Sequence, residues 1–269
     1  MAIPEEITKT INKSDSGFLI EVAKFLESQD WGITISPYYL DSVSGKSREI
    51  DLLATKTIDV LFGKRLGSVT YNLIIECKDI RNPEGSLKNN AVFWFKESSS
   101  CKKQADDYIQ RNFSVDPKHR NYMRNLHYLK PEKIAYLFES SDSSNGDNRE
   151  TGTVFKAVSQ ALHSLIYFKS EGFGKSSGSG NNISHYLPVI IYRDPSGAVF
   201  GVCDEKTEPI SDNFLFIVNY SYSHPKKEAP ISEFFIVDMV RHELLQNFLE
   251  QVSVDMQNLV GYIDYTSDR

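Results

Sequence analysis

The chain has 269 residues, 40% of them hydrophobic and 12% aromatic, and a formal net charge of −6. This composition is typical of a globular protein and excludes an intrinsically disordered one. Three cysteines without paired spacing, and the lack of any run near the ~20 apolar residues of a membrane span, predict a cytoplasmic protein that contacts no membrane.

The first predicted element is a helix over Ser16–Gln29, in which apolar residues recur at helical spacing. Glu21 lies on or beside the apolar stripe that includes Phe18, Val22 and Phe25. An acid at this position is unusual for a solvated helix face. Either Glu21 reaches water from the edge of the stripe, or the helix packs on a sheet and directs Glu21 into a polar site.

Strands are predicted next. Gly32–Leu40 is the first, and the apolar runs within Arg48–Lys56 and Tyr71–Lys78 indicate two further, buried strands. The Gly63–Gly67 segment between the last two predicts a hairpin turn. These two buried strands are therefore expected to be neighbours in one sheet.

Three charged residues lie within these two buried strands. Side chains alternate along a strand, so Glu76 and Lys78 share one face and Cys77 takes the other. Asp51 is expected beside Glu76 on the neighbouring strand. Buried charges of this kind are either paired as a salt bridge or used to bind a metal. Carboxylate oxygens of Asp51 and Glu76, with the backbone carbonyl of Cys77, are ligands that suit Mg²⁺.

The remainder of the chain predicts further strands and helices. Asp79–Lys103 contains several turn signals and is expected to be irregular. In a helix over Ser100–Asn112, Gln104 and Tyr108 lie four residues apart and share a face. Later elements are a strand over Lys133–Phe138, a helix over Gly152–Phe168, strands over Leu187–Tyr192, Ala198–Cys203, Phe214–Tyr222 and Phe234–Val237, and an amphipathic helix over Val240–Val260.

This succession predicts an α/β fold with a central mixed β-sheet flanked by helices. We expect a single domain over residues 1–269, with its core motifs in 16–140. Residues 150–269 would supply a C-terminal extension of the sheet and a long C-terminal helix.

The segment Arg81–Lys133 is basic, with 11 Lys/Arg against 6 Asp/Glu, in a chain that is acidic as a whole. It includes Lys88, Lys102 and Lys103, interleaved with aromatic residues. Such a pattern suits contacts to a nucleic-acid backbone. The alternative is a solvated basic face over an aromatic core. Because no separate DNA-reading module is visible, a second copy of the chain or a partner protein would supply sequence specificity.

The order of these motifs carries a family resemblance. A helix with Glu21 precedes a strand with Asp51, a strand with Glu76-x-Lys78 and a helix with Gln-x-x-x-Tyr. This order resembles the restriction-endonuclease-like superfamily, the PD-(D/E)xK nucleases, within its Mrr-like and RecB-like branches. The resemblance covers about the first 140 residues. Ile50 stands where many family members have proline before the first acid.

The resemblance implies a fold, an activity and a set of roles. Asp51 and Glu76 would bind Mg²⁺ or Mn²⁺, Lys78 would be the catalytic lysine, and Glu21 would complete the metal site. Gln104 and Tyr108 would contact the site or the nucleic acid. The implied function is metal-dependent hydrolysis of phosphodiester bonds in DNA. The alternatives are an RNA-directed nuclease and a catalytically inactive nucleic-acid-binding or scaffold protein.

Overall fold

The computed structural model describes residues 15–41, 45–62, 65–80, 90–113, 125–140, 152–171, 181–222 and 230–267. The helices in this part are α1 Asp15–Ser28, α2 Lys102–Phe113, α3 Thr153–Glu171 and α4 Leu245–Ser267. The strands are β1 Gly32–Ile35, β2 Tyr38–Leu40, β3 Ser47–Glu49, β4 Leu52–Phe62, β5 Arg65–Asp79, β6 Ala91–Glu97, β7 Lys133–Ser140, β8 Asn181–Arg193, β9 Val199–Cys203, β10 Lys206–Pro209, β11 Phe214–Tyr222 and β12 Ile231–Arg241.

One mixed sheet dominates the described residues. Ten strands lie in the order β1-β4-β5-β8-β12-β11-β7-β6-β9-β10, and β2 and β3 form a separate pair. The strands β4 and β5 are antiparallel, while β8 pairs in parallel with both β5 and β12. The prediction of an α/β fold with a mixed sheet, flanking helices and a C-terminal helix is confirmed. The late strands β8, β11 and β12 occupy the middle of the sheet.

Strand β5 defines two faces of the sheet. Because side chains alternate, Glu76 and Lys78 project from one face, and Cys77 projects from the other. We call these the Glu76 face and the Cys77 face. Their flanking layers are built from different helices, and this division decides which residues can meet at a site.

Helices α1 and α2 pack on the Cys77 face. Tyr71 belongs to this face, and its partners in the two adjacent strands are Lys56 and His185. The Nζ of Lys56 donates to the backbone oxygen of Gln29, just after α1, at 3.0 Å. The Nδ1 of His185 lies 3.2 Å from the backbone oxygen of Asn112 in α2. Both helices are therefore anchored to the same side of the sheet.

The Glu76 face is covered by α3 and by the β2–β3 pair. Tyr220 of β11 points to this face, and its hydroxyl lies 3.0 Å from the Ser159 hydroxyl of α3. The ring of Tyr39 in β2 packs against the ring of Tyr167 in α3, with centroids 6.3 Å apart. The β2–β3 pair, which we call the β2–β3 arm, thus lies over the same side of the sheet as α3.

The β2–β3 arm continues the β1–β4 ladder across a bend. Pro37 accepts a hydrogen bond from the Ile50 N–H at 3.2 Å, and the Ser36 N–H donates to the Asp51 carbonyl at 2.9 Å. Ser36 has a positive φ of 50°, which an L-residue rarely adopts and which breaks a regular strand. The predicted single strand over Gly32–Leu40 is therefore two strands, and Asp51 lies at the bend.

One prediction about the sheet is wrong. The sequence predicted an irregular segment over Asp79–Lys103, but β6 lies inside the sheet, antiparallel to β7 and parallel to β9. Phe93 of β6 is buried, and its ring contacts those of Phe138, Phe214 and Phe216. These aromatic partners are distant in the chain, so the local turn signals concealed the strand.

Within the described residues, no helix has the length and apolarity that crossing a membrane requires.

A buried ionic cluster joins α4 to the Cys77 face. The ring nitrogens of His127 lie 2.5 Å from Asp255 of α4 and 2.9 Å from Asp238 of β12. The Tyr128 hydroxyl donates to the second oxygen of Asp238 at 3.1 Å. Burial lowers the pKa of His127, but Asp238 and Asp255 outweigh it and raise that pKa to about 10. The imidazole is therefore protonated at neutral pH.

This cluster should make stability depend on pH. A histidine whose pKa is raised by folding stabilises the native state fully below its unfolded pKa of about 6.5. That contribution is lost as the pH rises towards about 10. We expect the unfolding free energy of the wild type to fall across this window, and that of His127→Gln to change less, in urea titrations.

A second variant separates the cluster from general charge effects. Asp255→Asn leaves the buried imidazolium of His127 with a weaker, uncharged partner. It should lower the free energy of unfolding by about 3–5 kcal/mol. Asp107→Asn, at an exposed position of α2, should change stability by less than about 0.5 kcal/mol. Equal losses for the two variants would contradict the assignment of the cluster as a structural anchor.

Candidate functional site

The candidate site is built where β4 begins beside β5. Leu52 pairs with Ile75 across the antiparallel ladder, so Asp51 lies next to Glu76. The apolar runs of both strands are buried, which fixes the register because a slip by one residue would turn every side chain to the other face. Packing of the core therefore places the two acids side by side on the Glu76 face.

Asp51, Glu76 and Lys78 converge at one point. The Nζ of Lys78 lies 2.8 Å from Glu76 Oε2 and 3.4 Å from Asp51 Oδ2. The Cys77 N–H donates a hydrogen bond of 2.7 Å to the same Asp51 oxygen. Two strands and the bend of the β2–β3 arm thus hold two carboxylates around a single ammonium group.

The three side chains differ in their exposure. The Glu76 side chain is 0% exposed, against 18% for Lys78 and 25% for Asp51. Burial raises the pKa of Glu76 to about 7, although Lys78 lowers it. Burial lowers the pKa of Lys78, but Glu76 and Asp51 outweigh it, so that pKa is raised. Lys78 consequently keeps its proton, and the site opens to solvent on the side of Asp51.

The donor set fits a hard divalent cation. Glu76 Oε1 is buried and has no hydrogen-bond partner among the described residues. Two carboxylates against one ammonium leave an excess of negative charge when both acids are ionised. No group of three or more His, Cys, Asp or Glu suited to a metal occurs in the described part of the chain. Mg²⁺ is often held by only one or two carboxylates, with water and substrate phosphate completing its shell.

Cys77 contacts this site through its backbone N–H, which is bonded to Asp51. Its side chain is buried on the opposite face. The backbone carbonyl of Cys77 was predicted from the sequence to be a metal ligand, and that role stays a prediction.

Glu21 belongs to a different cluster. Its carboxylate lies 3.3 Å from Arg193 and 3.5 Å from His242. Arg193 also pairs with Asp79 at 3.0 Å, and Asp79 follows Lys78 and so points to the Cys77 face. The helix packs on a sheet as expected, but it does not bring Glu21 to Asp51, Glu76 and Lys78. The face of the sheet on which α1 packs, which no local pattern specifies, determines this outcome.

Helix α2 also lies away from the candidate site. Tyr108 is buried on the Cys77 face, with its ring 5.7 Å from that of Tyr128. Gln104 is half-buried on α2, and Lys102 and Lys103 are exposed at its start. The structure therefore does not bring these four residues together with Asp51, Glu76 and Lys78. Lys88 lies outside the described residues.

The β2–β3 arm beside the site is not among the elements predicted from the sequence. Its inner side carries Tyr39 and Arg48, which face each other across the pair. Arg48 Nε donates to the buried Asp41 carboxylate at 2.8 Å. The signal that could have revealed the arm is Pro37, which interrupts a strand pattern and marks a bend.

Comparison of the chain with protein-family models, with curated proteins and with solved structures found no match. The family resemblance therefore depends on the residues and geometry described above.

The position of Glu21 leads to a specific prediction. Glu21→Gln removes half-exposed ion pairs and should cost less than about 1 kcal/mol of stability. It should leave the affinity for Mn²⁺, measured by calorimetry, within about twofold of the wild type. Glu76→Gln should lower that affinity by at least about 10-fold. Equal losses of affinity in the two variants would show that Glu21 reaches the metal.

Proposed function

We propose that the protein is a metal-dependent nuclease of the restriction-endonuclease-like class, which hydrolyses phosphodiester bonds in DNA. The observation that carries the proposal is the convergence of Asp51, Glu76 and Lys78 at one partly exposed point. Two acids and a lysine from adjacent strands are the central part of the motif order on which the PD-(D/E)xK resemblance was based, whereas Glu21, Gln104 and Tyr108 lie away from them. The buried Oε1 of Glu76, which has no hydrogen-bond partner within the part of the chain that the structure describes, adds an acceptor suited to a cation.

Each of the three residues has a distinct role in this proposal. Asp51 and Glu76 would hold Mg²⁺ or Mn²⁺ through carboxylate oxygens. When held there, such a cation would supply Lewis-acid polarisation of the phosphate and would activate water as the nucleophile. Lys78 keeps its proton because its pKa is raised, so it stabilises negative charge on the phosphate and does not act as a general base.

The open side of the site suggests how substrate enters. Asp51 is the most exposed of the three side chains and Glu76 is fully buried. A phosphodiester would approach along the Asp51 and Lys78 side, with Glu76 behind the reacting atoms. Lys102 and Lys103 belong to α2, which packs on the Cys77 face. They would therefore contact the nucleic-acid backbone away from the reacting phosphate.

A second candidate function is a non-catalytic nucleic-acid-binding or scaffold protein. The observation that favours it is the contact of Lys78 with both acids, which is also the geometry of a buried salt bridge. Removing one partner from such a bridge leaves an uncompensated charge and costs about 3–5 kcal/mol. The two functions therefore predict different results for the same variants.

Cleavage provides the first test. Plasmid DNA, single-stranded DNA and RNA would each be incubated with protein and Mg²⁺ or Mn²⁺, with EDTA as the metal-free control. We expect cleavage of DNA that EDTA abolishes and that Asp51→Asn lowers by about 100-fold or more. Asp59→Asn, at an exposed position of β4, should cleave as the wild type does. Cleavage of RNA alone would replace DNA with RNA as the substrate.

A pair of variants separates metal binding from chemistry. Glu76→Ala removes a ligand, so Mn²⁺ affinity and cleavage should fall together. Lys78→Met removes a positive charge near the metal, so affinity should be retained or increased while the rate of cleavage falls. Calorimetric titration and thermal melts of both variants provide the measurements. If both variants melt early and neither alters metal binding, the site is a salt bridge and the nuclease proposal is wrong.

A further inference from the structure

Arg48 of the β2–β3 arm differs from three other arginines in how its nitrogen atoms are used. Both terminal nitrogens of Arg111 and of Arg193 bind protein oxygens, and Arg241 uses one of them together with Nε. Arg48 instead contacts Asp41 through Nε at 2.8 Å. Its side chain is 47% exposed, against 34%, 23% and 19% for the other three. The two terminal nitrogens of Arg48 are therefore left for a further partner.

The carboxylate that holds Arg48 is itself fixed in place. Asp41 is 1% exposed, its N–H donates to the Lys46 carbonyl at 2.9 Å, and its carboxylate lies 3.7 Å from His163 of α3. Burial lowers the pKa of His163, so the imidazole is neutral at pH 7 and Arg48 balances the charge of Asp41. A guanidinium group held in this way loses little further freedom when it binds a partner.

Arg48 lies close to the candidate site along the chain. It precedes Asp51 by three residues, and a fully extended chain spans at most about 3.6 Å per residue, so their Cα atoms lie within about 11 Å of each other. Successive phosphates of one DNA strand are separated by about 3.4 Å of helix axis. Arg48 can therefore reach a phosphate within about three nucleotides of one bound at Asp51.

We propose that the two terminal nitrogens of Arg48 bind a DNA phosphate next to the reacting one, while Asp41 holds the guanidinium group in position. A planar guanidinium group forms two parallel hydrogen bonds with phosphate oxygens. Such a contact fixes the strand and carries no sequence information. This inference rests on the proposed function, because it places Arg48 beside the phosphate that the candidate site would hydrolyse.

The test compares Asp41→Asn with the double variant Asp41→Asn/Arg48→Met in the full chain. Arg48→Met alone would leave the buried Asp41 carboxylate without its cation and could unfold the arm. In Asp41→Asn, the amide oxygen that replaces the carboxylate can still accept the hydrogen bond from Nε of Arg48. Lys24→Met, at an exposed position of α1, is the control for the loss of one positive charge.

Binding of two DNA duplexes of unrelated sequence would be measured by fluorescence anisotropy, in EDTA and at several salt concentrations. EDTA prevents cleavage, so binding is measured independently of the metal. The same proteins would be compared in melting temperature, in the dissociation constant for Mn²⁺, and in kcat and KM for DNA cleavage.

We expect the double variant to bind both duplexes about 10-fold or more weakly than Asp41→Asn. The slope of log affinity against log salt should fall by about 0.9, as expected for one lost phosphate contact. KM should rise, while kcat and the Mn²⁺ dissociation constant stay within about twofold. Lys24→Met should keep the wild-type slope, and the double variant should melt close to Asp41→Asn.

Two results would overturn the inference while leaving the proposed function intact. Equal affinity and salt slope in the double variant and Asp41→Asn, in a protein that cleaves DNA, would show that Arg48 only balances Asp41. Weaker binding to one duplex alone would indicate a contact to bases and not to phosphate.

The proposed function fails in a different way. A wild-type protein that neither binds nor cleaves DNA would reject that function, and the role of Arg48 with it. A wild-type protein that binds DNA without cleaving it, and that loses salt dependence with Arg48, would keep the phosphate contact but reject the nuclease.

Discussion

The pairing of Glu76 with Lys78 is the interaction on which the candidate site depends. A carboxylate with no solvent exposure would be strongly destabilising in the interior of a sheet without a cation beside it. Because side chains alternate along β5, Lys78 lies on the same face two residues after Glu76, and its ammonium group supplies that positive charge. Asp51 then adds a second acid at the edge of the buried region, where water can reach it. The result is a charged cluster that the fold tolerates but does not need for packing.

The sheet separates this cluster from the His127 cluster and from the cluster of Glu21 and Arg193. The Cys77 face is closed by α1, α2 and α4, and the His127 cluster joins α4 to β12 by charged hydrogen bonds. The Glu76 face is covered by α3 and the β2–β3 arm, which leave the Asp51 side chain 25% exposed. The His127 cluster, which anchors α4, and the candidate site thus lie on opposite faces of the sheet. A substitution in the His127 cluster should therefore have little direct effect on the geometry of the candidate site.

Much of the site could be predicted from local sequence. Apolar runs located β4 and β5, and strand alternation placed Glu76 and Lys78 on one face beside Asp51. Glu21 and Tyr108 could not be placed, because the layer that a helix joins depends on how the chain crosses the sheet. The His127 cluster was missed for a related reason, since its partners Asp238 and Asp255 are far away in the sequence. Only the folded chain brings such groups together.

The most direct test of the account is anomalous diffraction from crystals of the protein soaked in Mn²⁺. Manganese scatters anomalously, so its position can be found without assuming any ligand. If Asp51 and Glu76 bind the metal, a peak will lie within coordination distance of both carboxylates. A metal site would be contradicted if no peak lies there and Lys78 still bridges the two acids, because the cluster would then be a salt bridge.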